Sequence, residues 1–310
     1  MRIAIMGAGG IGCYVGGRLA AAGQDVTFVA RGRHLDALRS RGLTVRSPLG
    51  DIVLPQVRAT DNPAEVGPVD VVLMGVKLYD LETATRAALP MVGPGTMIVP
   101  VQNGVTAHER IAAIAGREAV VGGLVFMSSF VVAPGVAEHK SKVHGVVFGE
   151  LDGSLSKRVE AFRDVGVAAG YDARASTEIL VELWNKFILL CGFSAVSALS
   201  RQPVGPVLAD PELKAVLYQS MAEVAAVARA KGIGVADDVV DKSIAFCGHF
   251  KFDSKASMLE DLEVGKPLEL EWLSGTLVRL GAELGVPTPF HSIANAMLKP
   301  LARGGPRPPA

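Results

Sequence analysis

The sequence predicts an α/β fold in which a doubly wound parallel sheet is followed by an all-helical domain. Three observations carry that reading. Short β-branched runs alternate with helical patterns through the first half, which is the signature of βαβ units. A glycine-rich turn, Gly7-Ala8-Gly9-Gly10-Ile11-Gly12, stands between the first such run and the first helical pattern. From about Ser176 the pattern changes to long helical segments with no convincing strand among them.

Taken in order, residues 2–6 predict the first strand and 13–22 the first helix, stopped by Gly23. A second strand at 25–30 and a second helix at 33–41 follow. Segments 45–47 and 52–57, joined through Pro48-Leu49-Gly50-Asp51, predict a hairpin. Further strands are expected at 69–76, 97–102 and 120–128, with helical stretches between them, and a late strand at 143–149 after the Pro134-Gly135 turn. The second half predicts long helices at 178–199, 210–231 and 267–284, and shorter ones at 237–246, 257–262 and 291–301. The expected division is a first domain over 1–175, a helical domain over 176–302 and a flexible tail over 303–310. No internal repeat is visible.

With 310 residues, 49% of them apolar and 20% charged, the chain has material for two domains of ordinary size. Thirty-one basic residues balance thirty-one acidic ones, which speaks against nucleic-acid binding and against a basic membrane-surface protein. A few local cations would still suffice for an anionic ligand. Cys13, Cys191 and Cys247 are too few and too scattered for a disulfide framework or a metal site, so no metal is expected and they read as buried small hydrophobes. A reducing, cytoplasmic compartment fits that usage. The apolar run at 3–6 is shorter than a signal core. The longest apolar run, 187–199, is shorter than the about 20 residues a bilayer span needs, so a buried helix is expected there.

The glycine turn acquires meaning from its context, after a strand and before a helix. Gly7 permits the tight turn, Gly9 lets the backbone approach a pyrophosphate, and Gly12 allows close helix–sheet packing. The free N–H groups of the helix N-terminus would complete a phosphate site, with Ala8, Gly10 and Ile11 contributing backbone. This is a Rossmann-type dinucleotide turn. At the end of the second strand, Val29-Ala30-Arg31-Gly32-Arg33-His34 carries no acid before Asp36. A carboxylate there would bond a ribose 2′-hydroxyl, whereas a guanidinium can pair with a 2′-phosphate. Arg31, supported by Arg33 or His34, therefore favours NADP(H) over NAD(H). Solvated charges at a helix start are the plainer reading, although cations oppose the helix dipole there.

Lys77 and Asn103 lie at carboxyl ends of expected strands, where open parallel sheets bind ligands. Lys77 reads equally as a surface lysine at a strand exit, and Asn103-Gly104 as a plain turn. In the second half, Lys186 heads an apolar helical run, Phe187-Ile188-Leu189-Leu190-Cys191. A partly desolvated ammonium is a good proton donor for the alkoxide formed when hydride reaches a carbonyl carbon. Spacing alone favours the plainer pairing of Lys186 with Glu182.

Together these residues resemble the ketopantoate reductases (2-dehydropantoate 2-reductases) along nearly the whole chain. The resemblance rests on GAGGIG at 7–12, VARGRHLDALRSRGL at 29–43, VKLYD at 76–80, VQNGV at 101–105, ELWNKF at 182–187, SMLEDLEVGKPLELEWLSG at 257–275 and GVPTP at 285–289. It implies NADPH-dependent reduction of ketopantoate to pantoate, for pantothenate and coenzyme A synthesis. By position it implies that Arg31 meets the 2′-phosphate, that Lys77 and Asn103 lie near cofactor and substrate, and that Lys186 is the general acid. Ser257 would bind substrate, and Glu269 would bind the cofactor ribose or orient the lysine. Ser257 with Glu260 also reads as a capping box, and Glu269 as a first-turn glutamate after Pro267. Well-studied members carry asparagines four and eight residues after the lysine to hold the substrate; Leu190 and Ser194 stand there in this chain. Leu190 points to a more apolar 2-oxo acid as an alternative substrate, and a non-catalytic NADP(H) sensor is the reading of another class. The apolar faces of the helical domain are compatible with a homodimer.

Overall fold

The computed structural model describes residues 1–305. The chain forms two compact units that divide between Ile179 and Leu180. In the first, β1 (Arg2–Met6), α1 (Gly10–Ala21), β2 (Asp25–Val29), α2 (Gly32–Arg41), β3 (Leu43–Arg46), β4 (Ile52–Leu54) and β5 (Arg58–Thr60) come in that order. They are followed by β6 (Val71–Met74), α3 (Leu81–Ala88), β7 (Met97–Pro100) and α4 (Ala107–Ala115). Then come β8 (Gly122–Phe126), β9 (Ser129–Ala133), β10 (Val136–His139), β11 (Gly145–Gly149), α5 (Lys157–Ala168) and β12 (Asp172–Ala175).

The main sheet runs β5-β2-β1-β6-β7 and every pairing in it is parallel. The chain leaves β1 for β2 on one side and returns to β6 on the other, so the strand order reverses between β1 and β6. Crevices at such reversal points are where open α/β sheets take ligands. Strands β1 and β6 are apolar on both faces, as parallel strands covered by helices require. Ile3, Ile5, Phe28, Leu73 and Val99 join Leu19 and Val15 of α1 in one continuous core. Beyond β7, a parallel bridge between Ile98 and Val120 leads to a three-stranded sheet, β12-β11-β8. A four-stranded sheet, β4-β3-β10-β9, packs on α1.

Several expected elements change. The run expected as one strand over 120–128 ends at Phe126, and the chain then enters a different sheet as β9, paired antiparallel with β10. The first helix begins at Gly10 and not at residue 13, because the last two glycines of the turn already have helical backbone. The hairpin pairs Leu43 with Leu54 and Val45 with Ile52, earlier in the sequence than expected.

In the second unit, α6 (Ile179–Ser200), α7 (Val204–Ala209), α8 (Pro211–Ala230), α9 (Val239–Cys247), α10 (Ser257–Glu263), α11 (Ser274–Leu284) and α12 (Pro289–Leu298) make an all-helical fold. α6 spans 22 residues and holds an 18-residue window with a mean hydropathy of 1.6, enough to cross a bilayer by length and composition, but 61% of that window is buried within the fold. It is the core helix of this unit. α8 begins with Asp210, whose carboxylate accepts from Glu212 and Leu213 N–H, ahead of Pro211 in the first helical position. Glu223 of α8 accepts from the N–H groups of Phe290 (2.8 Å) and His291 (3.1 Å), which caps α12 with a buried carboxylate. His291 is itself buried, with Ser274 Oγ at 3.1 Å from Nδ1 and Ser220 Oγ at 3.2 Å from Nε2. Burial lowers its pKa to about 4, so at neutral pH it joins α8, α11 and α12 as a neutral ring.

The long helix expected over 267–284 is broken. A 3-10 turn at Leu270–Trp272 precedes α11, and Leu273 between them has φ −102° and ψ −99°, far from helical. The backbone before it is committed elsewhere: Leu268 N–H donates to Ala302 C=O at 2.9 Å, and Gly305 N–H donates to Gly265 C=O at 3.3 Å. Those bonds also hold the first residues of the expected flexible tail, Arg303 to Gly305; residues 306–310 lie outside the described residues. All three cysteines are free and buried.

Candidate active site

In the first unit the glycine turn sits at the carboxyl end of β1, beside the loop that leaves β6. Gly7 has φ +97°, and a Cβ there would stand 2.7 Å from Val76 Cγ1 and 2.8 Å from Val76 N. Gly12 opposes Gly7 O and lies where a Cβ would be 2.8 Å from Ile5 Cγ2. Gly10 is closed in by the Ser129 backbone, and Ser129 Oγ donates to Gly10 C=O at 2.9 Å. Gly9 differs from all of these. A Cβ there would meet only Gly75 O, at 3.8 Å, so the protein itself does not demand glycine at this position. The cradle is open on the side where a pyrophosphate would rest.

Gly7 and Ala8 N–H groups are spent on Val29 C=O, at 3.2 and 3.1 Å. The amides of Gly10, Ile11 and Gly12 precede the first i→i−4 bond of α1, from Cys13 N–H to Gly9 C=O at 2.8 Å. No side chain caps this helix and no acid stands in its first turn. Free donors and a positive dipole end thus face the cradle, and these residues fit a dinucleotide diphosphate. Gly12→Ala is expected to cost about 1–3 kcal/mol of stability through overpacking and to lose dinucleotide binding. Thermal unfolding with and without NADPH checks this, and an unchanged Tm in both conditions would refute it.

Arg31 is exposed at the end of β2, in extended backbone (φ −136°, ψ 158°), and forms the N-cap residue of α2. Its guanidinium has no partner among the described residues, and no acid stands in the first turn of the helix. Arg33 is likewise exposed. His34 does not support them as expected. Its Nδ1 accepts from Gly135 N–H at 3.2 Å and its Nε2 lies 3.5 Å from Cys13 Sγ, so the ring is turned inward. Burial lowers its pKa, partly offset by a bond to the Ala8 backbone, and it remains uncharged at neutral pH.

Lys77 is exposed just after β6, ahead of a 3-10 turn at Leu78–Asp80, and Asn103 is half-buried after β7. Both therefore stand at the carboxyl edge of the main sheet. Between β7 and Asn103 lies Gln102, expected from the sequence only as the last residue of a strand over 97–102. It is buried, and its Nε2 donates to the Met74 and Val76 carbonyls at 2.6 and 3.0 Å.

In the second unit Lys186 lies two turns into α6, half-buried. Burial lowers its pKa to about 8, and the nearby Glu269 carboxylate partly opposes the shift. Glu269 comes just before the 3-10 turn at Leu270–Trp272, not in the first turn of a long helix, and the break at Leu273 is what leaves it there. Leu190 is half-buried one turn beyond Lys186. Ser194, a further turn on, is buried with an Oγ that has no partner. Ser257 is exposed in the first turn of α10. It does not cap the helix, because Ala256 already has the extended cap backbone (φ −69°, ψ 145°) and accepts from Glu260 N–H. No group of three or more metal-ligating side chains occurs among the described residues.

Two family models match the chain, one on each unit. The model described as ketopantoate reductase PanE/ApbA matches residues 3–153, and its C-terminal companion matches 178–302. A 2-dehydropantoate 2-reductase of Mesorhizobium japonicum is 32% identical over 325 aligned positions, covering 97% of this chain and 98% of that protein. The chain belongs to the ketopantoate reductase family. It is accordingly an oxidoreductase of the class that acts on a CH–OH group, and a nicotinamide dinucleotide is the cofactor class that the family and the turn imply. Within the family, the solved 2-dehydropantoate 2-reductase of Geobacter metallireducens superposes with a TM-score of 0.89 at 33% identity, covering 97% of this chain and 99% of that one. A Bacillus subtilis protein described as an uncharacterized oxidoreductase is also similar, 29% identical over 96% of this chain and 98% of that protein. Similarity thus extends to a relative whose substrate its description does not give.

Proposed function

We propose that this protein is an NADPH-dependent 2-oxo-acid reductase whose first substrate is ketopantoate, reduced to pantoate for pantothenate and coenzyme A synthesis in the cytoplasm. The observation that carries the reading is Lys186, an ammonium whose burial brings its pKa to about 8 beside the Glu269 carboxylate. That is the range in which a lysine both holds its proton at neutral pH and gives it up readily. When bound, the reduced nicotinamide supplies hydride to the 2-oxo carbon. Lys186 Nζ then donates its proton to the carbonyl oxygen, and Glu269 keeps the ammonium charged and oriented until it does so. Residues 1–175 serve the dinucleotide through Gly7, Ala8, Gly9, Gly10, Ile11 and Gly12 at the diphosphate and Arg31 at the 2′-phosphate. Lys77 and Asn103 face the reacting end. Residues 176–302 supply Lys186, Glu269, Leu190, Ser194 and Ser257 to the substrate. The exposed apolar stripe Ile293, Met297 and Leu301 supports a homodimer built through the helical unit.

A second reading concerns the substrate alone. Leu190 offers no hydrogen bond, and a site holding it is suited to a more apolar 2-oxo acid. NADPH consumption with ketopantoate and with a series of branched and aromatic 2-oxo acids separates the two. The expected result is the highest kcat/KM on ketopantoate; a clearly higher value on a bulkier acid would transfer the assignment to that acid, and no reduction of any 2-oxo acid would overturn the reductase reading.

A further inference from the structure

The turn that carries Lys77 is suspended from the segment that carries Asn103. Two carbonyls that precede Lys77, those of Met74 and Val76, accept from Gln102 Nε2 at 2.6 and 3.0 Å. The carbonyl that follows it, that of Leu78, accepts from Arg110 Nη2 of α4 at 2.8 Å. Arg110 is aimed by a two-pronged pair with Glu82, Nε to Oε1 at 2.6 Å and Nη2 to Oε2 at 2.7 Å. Lys77 is thus bracketed on both sides of its own peptide by donors from one stretch of chain. Gln102 keeps its two bonds even though its Oε1 is left buried without a partner. An amide that forgoes its acceptor to hold two backbone carbonyls is fixed by what those carbonyls must do.

We infer that Gln102 and Arg110 are positioning residues for the reaction, which fix the Lys77 turn relative to Asn103 at the carboxyl edge of the sheet. This rests on the reading above that Lys77 and Asn103 face the reacting end. A displacement of about 1 Å at such a site can cost about 100-fold in rate. Neither residue hydrogen-bonds the glycine cradle or Arg31, so binding of the adenosine end is expected to be unaffected by their loss.

Gln102→Met keeps the volume and removes both donors. It is expected to lower kcat/KM with the preferred 2-oxo acid by about 10- to 100-fold, while the affinity for 2′,5′-ADP, a probe of the adenosine end alone, is unchanged. Arg110→Lys keeps the charge but not the fork, and is expected to shift the kinetics in the same direction. If Gln102→Met does not fold, Arg110→Lys decides. In a Lys77→Ala background the same substitutions are expected to cost much less, because the group they position is gone. Full additivity with Lys77→Ala, or parallel losses of 2′,5′-ADP binding and kcat/KM, would reduce both residues to general stabilisers. If Lys77→Ala alone leaves kcat/KM unchanged, the reading of Lys77 falls and the inference with it. If Lys77→Ala is slow and neither positioning variant is, the positioning role alone falls.

Discussion

Lys186→Ala is expected to lower kcat/KM for the preferred 2-oxo acid by about 10²- to 10⁴-fold, the range for loss of a general acid. The effect belongs mainly to kcat, since the proton is needed as the alkoxide forms. The pH dependence has a fixed sign. The acting form is the protonated ammonium, so the rate is sustained below the Lys186 pKa and falls as pH rises through about 8. Lys186→Arg stays protonated throughout and would not restore the rate, because a guanidinium does not release its proton in this range. Steady-state kinetics across pH, with thermal unfolding of each variant as a control on folding, test this. Full activity in Lys186→Ala would remove the lysine from the chemistry.

Arg31→Ala is expected to weaken NADPH by about 10- to 100-fold, which corresponds to about 1.5–3 kcal/mol for hydrogen bonds to a charged group. NADH, which lacks the 2′-phosphate, is expected to change little. The exposure of Arg31 adds a second signature. The NADPH preference should shrink as ionic strength rises, since solvent-exposed charges are screened. Fluorescence titration of both dinucleotides at low and high salt measures this, and equal losses for the two would take Arg31 out of the role.

What the sequence made legible was local. The glycine turn is written in one short run of sequence, and β1, α1, β2 and α2 all form around it. The change to helices near Ser176 was visible because the segments there run far longer than a strand, 22 residues in α6 and 20 in α8. Features decided by distant partners were not visible. Leu273 breaks the helix expected over 267–284 because residues beyond α12 claim the backbone before it. β5 has only three residues and takes its place by pairing with β2 at the sheet edge. His34 looked like a third cation beside Arg31 and is turned inward by Gly135, 101 residues away in sequence. Ser257 missed its capping role by a single residue. In the candidate site, Lys186 was placed by resemblance, while Gln102 was invisible as a clamp until the carbonyls of β6 were seen to lie beside it.

The buried cysteines have a practical consequence. Burial pushes the Cys13 and Cys247 thiols up to about 12 and raises Cys191 as well, so almost no thiolate exists at neutral pH. Thiol-directed alkylating reagents therefore find no handle on the native cysteines. Any thiol labelling reports an opening event, with Cys13 as the witness for the unit that carries the glycine turn and Cys191 and Cys247 for the helical one. The molecule contains its own clock for which half lets water in first.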